Sequence, residues 1–170
     1  RSVGFEEYYG REDYPLLLPY PEDAERSIGW DYEALMFLFE KLNTPNQRFF
    51  AYINASSDHT PFARLQKPFN QYEHGYDTEG GYLNMLHYTD WSIGQFMEQF
   101  KQRSDYDDTL FIITADHAMA HFQSDDPYER FLIPLLIHAP KHIQHGWITT
   151  YGSQIDLLST IIELLDLEGT

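Results

Sequence analysis

The 170-residue sequence predicts an α/β fold, a layered sandwich in which a largely parallel sheet is flanked by helices. Three observations predict it. Apolar runs of strand length end in short polar loops at 48–57, 111–117 and 131–140. Segments with apolar residues at helical spacing precede and follow them. The two kinds alternate along the chain, which is the pattern of layered α/β domains.

Taken in order, residues 1–28 are rich in Tyr, Pro and acidic side chains, with YPLLLPYPED in the middle, and read as an irregular segment with room for a short strand. DYEALMFLFEKLN (31–43) sets Leu35, Leu38, Phe39 and Leu42 at helical spacing, with Asp31 as the expected N-cap. RFFAYINASS (48–57) reads as a buried strand running into a small polar loop. Residues 58–81 hold Pro, Gly, Asn and Tyr without a period, a long loop of the kind that often carries function. YLNMLHYTDWSIGQFMEQFKQR (82–103) places Leu83, Leu86, Ile93, Phe96, Met97 and Phe100 on one stripe, so a long amphipathic helix is expected. DYDDTLFIITADH then gives a turn and a strand, FLIPLLIHAP (131–140) another strand, and SQIDLLSTIIELLDL (153–167) a closing helix. No repeat, low-complexity tract or linker interrupts the chain. It reads as one domain, or as one contiguous piece of a larger one.

Composition narrows the function. Hydrophobic residues make up 42% and aromatics 16%, so the chain can build a core. No apolar run approaches the roughly 20 residues of a membrane span. The net charge of −16 argues against nucleic acid and against an anionic membrane surface, both of which need basic patches. It is compatible with metal cations, although most of these carboxylates read as a solvated surface. The absence of cysteine excludes disulfides, thiolate metal sites and a Cys nucleophile. The chain opens on Arg1 rather than Met, so it is read as a piece from which a targeting segment could be missing.

The stretch FIITADHAMAHF (111–122) concentrates the candidate chemistry. Ligands in open α/β sheets gather at the carboxyl ends of strands. Asp116 and His117 fall at such an end, and a carboxylate beside an imidazole suits Zn²⁺ or Mn²⁺. The same pair is also an ordinary hydrogen-bonded start to a loop. His59, in NASSDHTPF, follows another expected strand and would lie on the same edge of the sheet as Asp116. Its alternative is an exposed imidazole in a rigid turn before Pro61. His138, in LLIHAP, ends a third strand and reads either as a further site residue or as a histidine bonded at the core edge. His121 reads equally as a ligand or as a loop histidine. His142 and His145 read as surface residues, and Asp90 as a paired structural carboxylate. A metal needs three or four protein ligands, and two are too few. No nucleophile elbow, Ser-His-Asp ordering or phosphate-binding glycine loop is visible.

Four blocks nevertheless resemble one family. FFAYINASSDHTPF (49–62) is similar to the strand and His-Pro loop of the sulfatase-like branch of the alkaline phosphatase superfamily, in particular the lipoteichoic acid synthases and related phosphoglycerol and phosphoethanolamine transferases. Residues 82–117 resemble their helix, turn and strand ending in an Asp-His metal pair. IPLLIHAP (133–140) resembles the following strand, and SQIDLLSTIIELL (153–165) the closing helix. The blocks run in the family's order over about residues 30–167.

The resemblance implies a divalent ion (Mn²⁺, Zn²⁺ or Ca²⁺) and an ester-bound phosphate or sulfate, lipid- or glycan-linked, attacked by a Thr or a modified Cys or Ser. It assigns Asp116 and His117 as metal ligands and His59 to an oxygen of the transferred group or to the leaving group. Ala118 stands where many sulfatases have Gly, which favours the transferase branch. The family's nucleophile and its other acidic ligand lie upstream of the resembling blocks. The chain is therefore expected to be the C-terminal part of a catalytic domain, inactive alone and prone to self-association through a face its missing half would cover. The parent is expected to be membrane-anchored and periplasmic or at the cell surface. A sulfatase proper, and a non-catalytic binding domain that keeps the fold, are the alternatives.

Overall fold

A computed structural model describes residues 4–20, 30–44, 47–119 and 125–167. The regular elements are helix α1 (Asp31–Lys41), helix α2 (Glu79–Phe100), strand β1 (Phe111–Thr114), strand β2 (Leu135–His138) and helix α3 (Leu157–Leu164). Single 3-10 turns punctuate the connections, one of them, Gln154–Asp156, leading directly into α3.

The helices form where the periodicity places them, and Ile93, Phe96, Met97 and Phe100 of α2 pack inward as expected, but the N-terminal half of α2 turns a different face inward. Its buried residues are Gly81, Asn84, Met85, Tyr88, Ser92, Phe96 and Phe100, and Leu86 is exposed. Three of these are polar or amphipathic and would not count as core by residue type. Each has its polar atoms satisfied, which removes the desolvation penalty. The Asn84 carbonyl accepts from the Gln71 and Tyr72 amides at 2.8 and 2.9 Å, and its amide donates to Asn70 and to the Tyr72 carbonyl. Ser92 Oγ donates to the Tyr88 carbonyl.

This network ties the long segment 58–78 onto α2. Phe62, Ala63 and Leu65 are buried there with Trp30, Met85 and Tyr88. The glycines of EGG explain how closely the segment lies. A Cβ on Gly81 would sit 1.9 Å from the Gly75 carbonyl oxygen, and one on Gly80 would sit 2.1 Å from that of Glu73. Only glycine lets the first turn of α2 approach that backbone. A second cluster joins Leu35 and Met36 of α1 to Phe96 and Phe100 of α2, with Phe111 of β1 packed against it.

Three expectations need correction. Asp31 is not the N-cap of α1; Trp30 holds that position and Asp31 is the first helical residue, its carboxylate turned into the protein. Residues 48–57 form no strand, and Phe50 and Tyr52 are about 70% and 71% exposed. An extended apolar segment becomes a buried strand only where neighbouring strands accept its backbone groups, and none does so among the described residues. The sheet is also not parallel among the described residues. β1 and β2 pair antiparallel, Phe111 opposite His138 and Thr114 opposite Leu135. The remaining α/β character, helices packed beside a sheet, is as expected.

Candidate active site

The site is built at the end of β1. Thr114 Oγ1 donates to the Pro134 carbonyl at 2.8 Å, which holds the exit of β1 against the entry to β2. Beyond it the chain turns through Ala115 and Asp116. The Gln154 amide donates to the carbonyls of both residues, at 3.0 and 2.9 Å. Gln154 therefore reaches from the turn before α3 and fixes the backbone that carries the Asp-His pair. Nothing along the chain singles it out, because a glutamine at a helix start carries no motif. Gln154→Ala is expected to loosen this turn, raising the exchange rate of the 115–118 amides roughly tenfold through loss of two hydrogen bonds. Amide hydrogen exchange checks it, and unchanged rates at 115–118 would show that Gln154 is not what holds the turn.

Within the pair, the Asp116 carboxylate accepts from the His117 amide at 2.9 Å through Oδ1. Its Oδ2 lies 3.6 Å from His117 Nε2. His117 Nδ1 lies 2.9 Å from the Ala118 carbonyl, an acceptor, so Nδ1 carries the proton and Nε2 is left as the ligand nitrogen. His59 makes a similar local contact, with Nδ1 2.6 Å from the Thr60 carbonyl. The His117 pKa is raised above its ordinary value, by the Ala118 carbonyl first and then by the charge of Asp116, with Asp58 adding to both. Asp58 is thus within electrostatic reach of His117.

A shallow cavity of about 330 Å³ opens over this pair, lined by Asp116, His117, Ala118, Arg130, Phe131, Ile133 and Gln154. Arg130 adds a cation and Phe131 an apolar wall. Neither stood out in the sequence.

The other candidates separate. His138 is hydrogen-bonded to the Tyr106 hydroxyl at 2.8 Å and packs against Phe111. It sits at the core edge, opposite the start of β1 rather than its end. The antiparallel register decides this: three residues of strand, about 10 Å, separate Phe111 from Thr114. His121 lies outside the described residues. His142 lies on the surface near Asp108, and Asp90 is exposed.

Asp116 and His117 offer one oxygen and one nitrogen donor to a single point, a donor set that fits Mn²⁺ or Zn²⁺. The tautomer of His117 is the one such an ion needs. Among the described residues no group of three potential ligands gathers, and the pair offers two donors.

Comparison with known proteins places the chain in a family. Lipoteichoic acid synthase 1 of Bacillus subtilis is 24% identical over 188 aligned residues, which cover 99% of this chain and 28% of that protein. Lipoteichoic acid synthase 2 of the same organism is 26% identical, over 81% of this chain and 23% of its own length. The chain thus spans about a quarter of the curated relatives it matches. Among solved structures, a protein in the alkaline phosphatase superfamily from Vibrio parahaemolyticus superposes with a TM-score of 0.76 at 28% identity, over 95% of this chain and 39% of that one. The lipoteichoic acid synthase LtaP from Listeria monocytogenes superposes with a TM-score of 0.77 at 24% identity, over 98% of this chain and 45% of that one. The fold is accordingly that of the alkaline phosphatase superfamily. With the sulfatase family matching residues 1–167 of a chain that carries an Asp-His pair at the end of β1, the chain belongs to the sulfatase family.

Proposed function

We propose that this chain supplies part of the metal site and the oxygen-binding loop of a metal-dependent phosphoglycerol-type transferase of the cell envelope. The observation that carries the reading is the Asp116–His117 pair, with Nε2 turned to the carboxylate and Nδ1 held by a backbone carbonyl. A divalent ion held there by Asp116 Oδ2 and His117 Nε2 would supply positive charge to the oxygens of a phosphate or sulfate ester. His59 donates from Nε2 to an ester oxygen or to the departing one when it is protonated. Arg130, on the cavity wall, attracts the anionic group.

The nucleophile and the remaining acidic ligand belong to a preceding part of the same polypeptide. Two observations support that division. The chain covers 39% and 45% of the two solved relatives. It also leaves Trp147, Ile148, Tyr151 and Ile155 more than four-fifths exposed, a run of apolar surface that a folded catalytic domain would cover. The same surface accounts for the self-association expected from the sequence. No described helix is long and apolar enough to cross a membrane, so a membrane anchor would also belong to another part of the polypeptide.

The test compares the 170-residue chain with a longer polypeptide from the same gene, using bis(p-nitrophenyl) phosphate and p-nitrophenyl sulfate with Mn²⁺. The short chain is expected to turn over neither. The longer one is expected to cleave the phosphodiester and to lose that activity with Asp116→Asn. Turnover by the short chain, abolished by Asp116→Asn, would overturn the division of the site. Preference for the sulfate ester would move the assignment to a sulfatase. Inactivity of a folded, metal-loaded longer polypeptide would point to a binding domain.

A further inference from the structure

Asp31 is almost wholly buried, 1% exposed, at the first position of α1, and the site chemistry does not use it. Its Oδ1 accepts from the amides of both Ser56 and Ser57, each at 2.9 Å. Its Oδ2 accepts from the Thr89 hydroxyl of α2 at 2.6 Å. Its own amide donates to Ser57 Oγ at 3.0 Å, so Asp31 and the fully buried Ser57 are bonded in both directions. Ser56 in turn accepts from the His59 amide through its carbonyl, at 3.3 Å. One carboxylate thus joins α1, α2 and the chain immediately before Asp58 and His59.

We propose that Asp31 is the positioning residue of the His59 loop, fixing that imidazole relative to the Asp116–His117 end of the site; this rests on the reading of His59 as the oxygen-binding residue. The physical case is specific. The segment leading into this loop, residues 48–55, pairs with no strand among the described residues, so no described sheet hydrogen bond holds it. An acceptor-only carboxylate that takes two consecutive amides sets the direction of the following turn, as a ligand clamp would. A burial this complete is costly for a charge unless it is hydrogen-bonded, and three donors occupy three of its roughly four acceptor sites. Glu33, two residues on, is equally buried but bonds the Leu17 and Leu18 amides and the Tyr20 hydroxyl. It anchors a different segment and is the natural control.

The experiment is nuclear magnetic resonance on the 170-residue chain, with Asp31→Ala and Glu33→Ala compared. Asp31→Ala is expected to raise amide exchange at Ser56 and Ser57 by at least roughly tenfold, and to move and broaden the His59 ring signals. Glu33→Ala is expected to leave both unchanged while lowering global stability. If Asp31→Ala does not fold, Asp31→Asn, which keeps the shape and a weaker acceptor, is read for the same signals. Inorganic phosphate is then titrated while the His59 ring is observed. Its affinity should fall roughly tenfold in Asp31→Ala and less in Asp31→Asn, the rescue expected of a neutral acceptor. Unaltered His59 and Ser56–Ser57 signals in the Asp31 variants, or equal changes in Glu33→Ala, overturn the proposal. If the wild-type His59 ring ignores phosphate, the assigned role of His59 fails, while exchange at Ser56 and Ser57 still decides whether Asp31 holds the loop.

Discussion

The wild-type chain is expected to bind Mn²⁺ or Zn²⁺ weakly in calorimetric titration, and Asp116→Asn is expected to abolish that binding. The carboxylate supplies the anionic donor and also acts electrostatically on His117. Removing a direct ligand should cost more than the roughly 10–100-fold that losing an outer hydrogen-bond partner costs. The wild-type affinity should also depend on pH. The ion needs a neutral Nε2, and the His117 pKa is raised above 6.5. Protons therefore compete through and above that value, and the affinity should rise as pH climbs through the raised pKa. A pH-independent affinity, or binding that survives Asp116→Asn, would place the ion elsewhere. Tight stoichiometric binding would mean that the chain supplies more than two ligands.

Glu33→Ala should destabilise the fold by about 2–4 kcal/mol, read by urea denaturation. The estimate follows from orphaning two amides and one hydroxyl, at about 1–3 kcal/mol for each buried group left unsatisfied, discounted because Leu17 is half exposed and water can reach its amide. Tyr20→Phe should cost less, since it removes one donor and leaves the amides bonded. Tyr20 stacks on Trp30 at 3.9 Å and bonds both Glu33 and the Tyr88 hydroxyl. Burial and the neighbouring Tyr88 and Glu33 push its pKa far up, so it stays a neutral donor at any ordinary pH. A loss below about 1 kcal/mol for Glu33→Ala would show that residues 17–20 are held by packing rather than by this carboxylate.

The helices were legible because their signal is local. A 3.6-residue period survives in the sequence wherever one face is buried, and α1, α2 and α3 lie where it puts them. Which residues of α2 face inward was not legible. Asn84, Tyr88 and Ser92 belong to the core only because loop backbone and neighbouring side chains complete their hydrogen bonds. Asp31 and Glu33 escaped for the same reason. A carboxylate at a helix start reads as a cap or a surface charge, and only long-range partners make it a buried clamp. The Asp116–His117 pair was legible as two adjacent ligands, and the family likeness of its surrounding blocks supplied their meaning. Gln154, Arg130 and Phe131 come from distant positions and carry no motif of their own.

The sequence by itself determined the fold class, the place of each helix, the two strands that form and the family to which the chain belongs, because periodicity and ordered blocks are written along the chain. The tertiary structure decided the direction in which β1 and β2 pair, and with it the removal of His138 from the site. It also left 48–57 outside the sheet among the described residues and brought Asp58 within electrostatic reach of His117. Strand pairing depends on which backbone groups meet across space, and a side chain's role depends on what surrounds it. Neither is set by the identity of its neighbours in sequence.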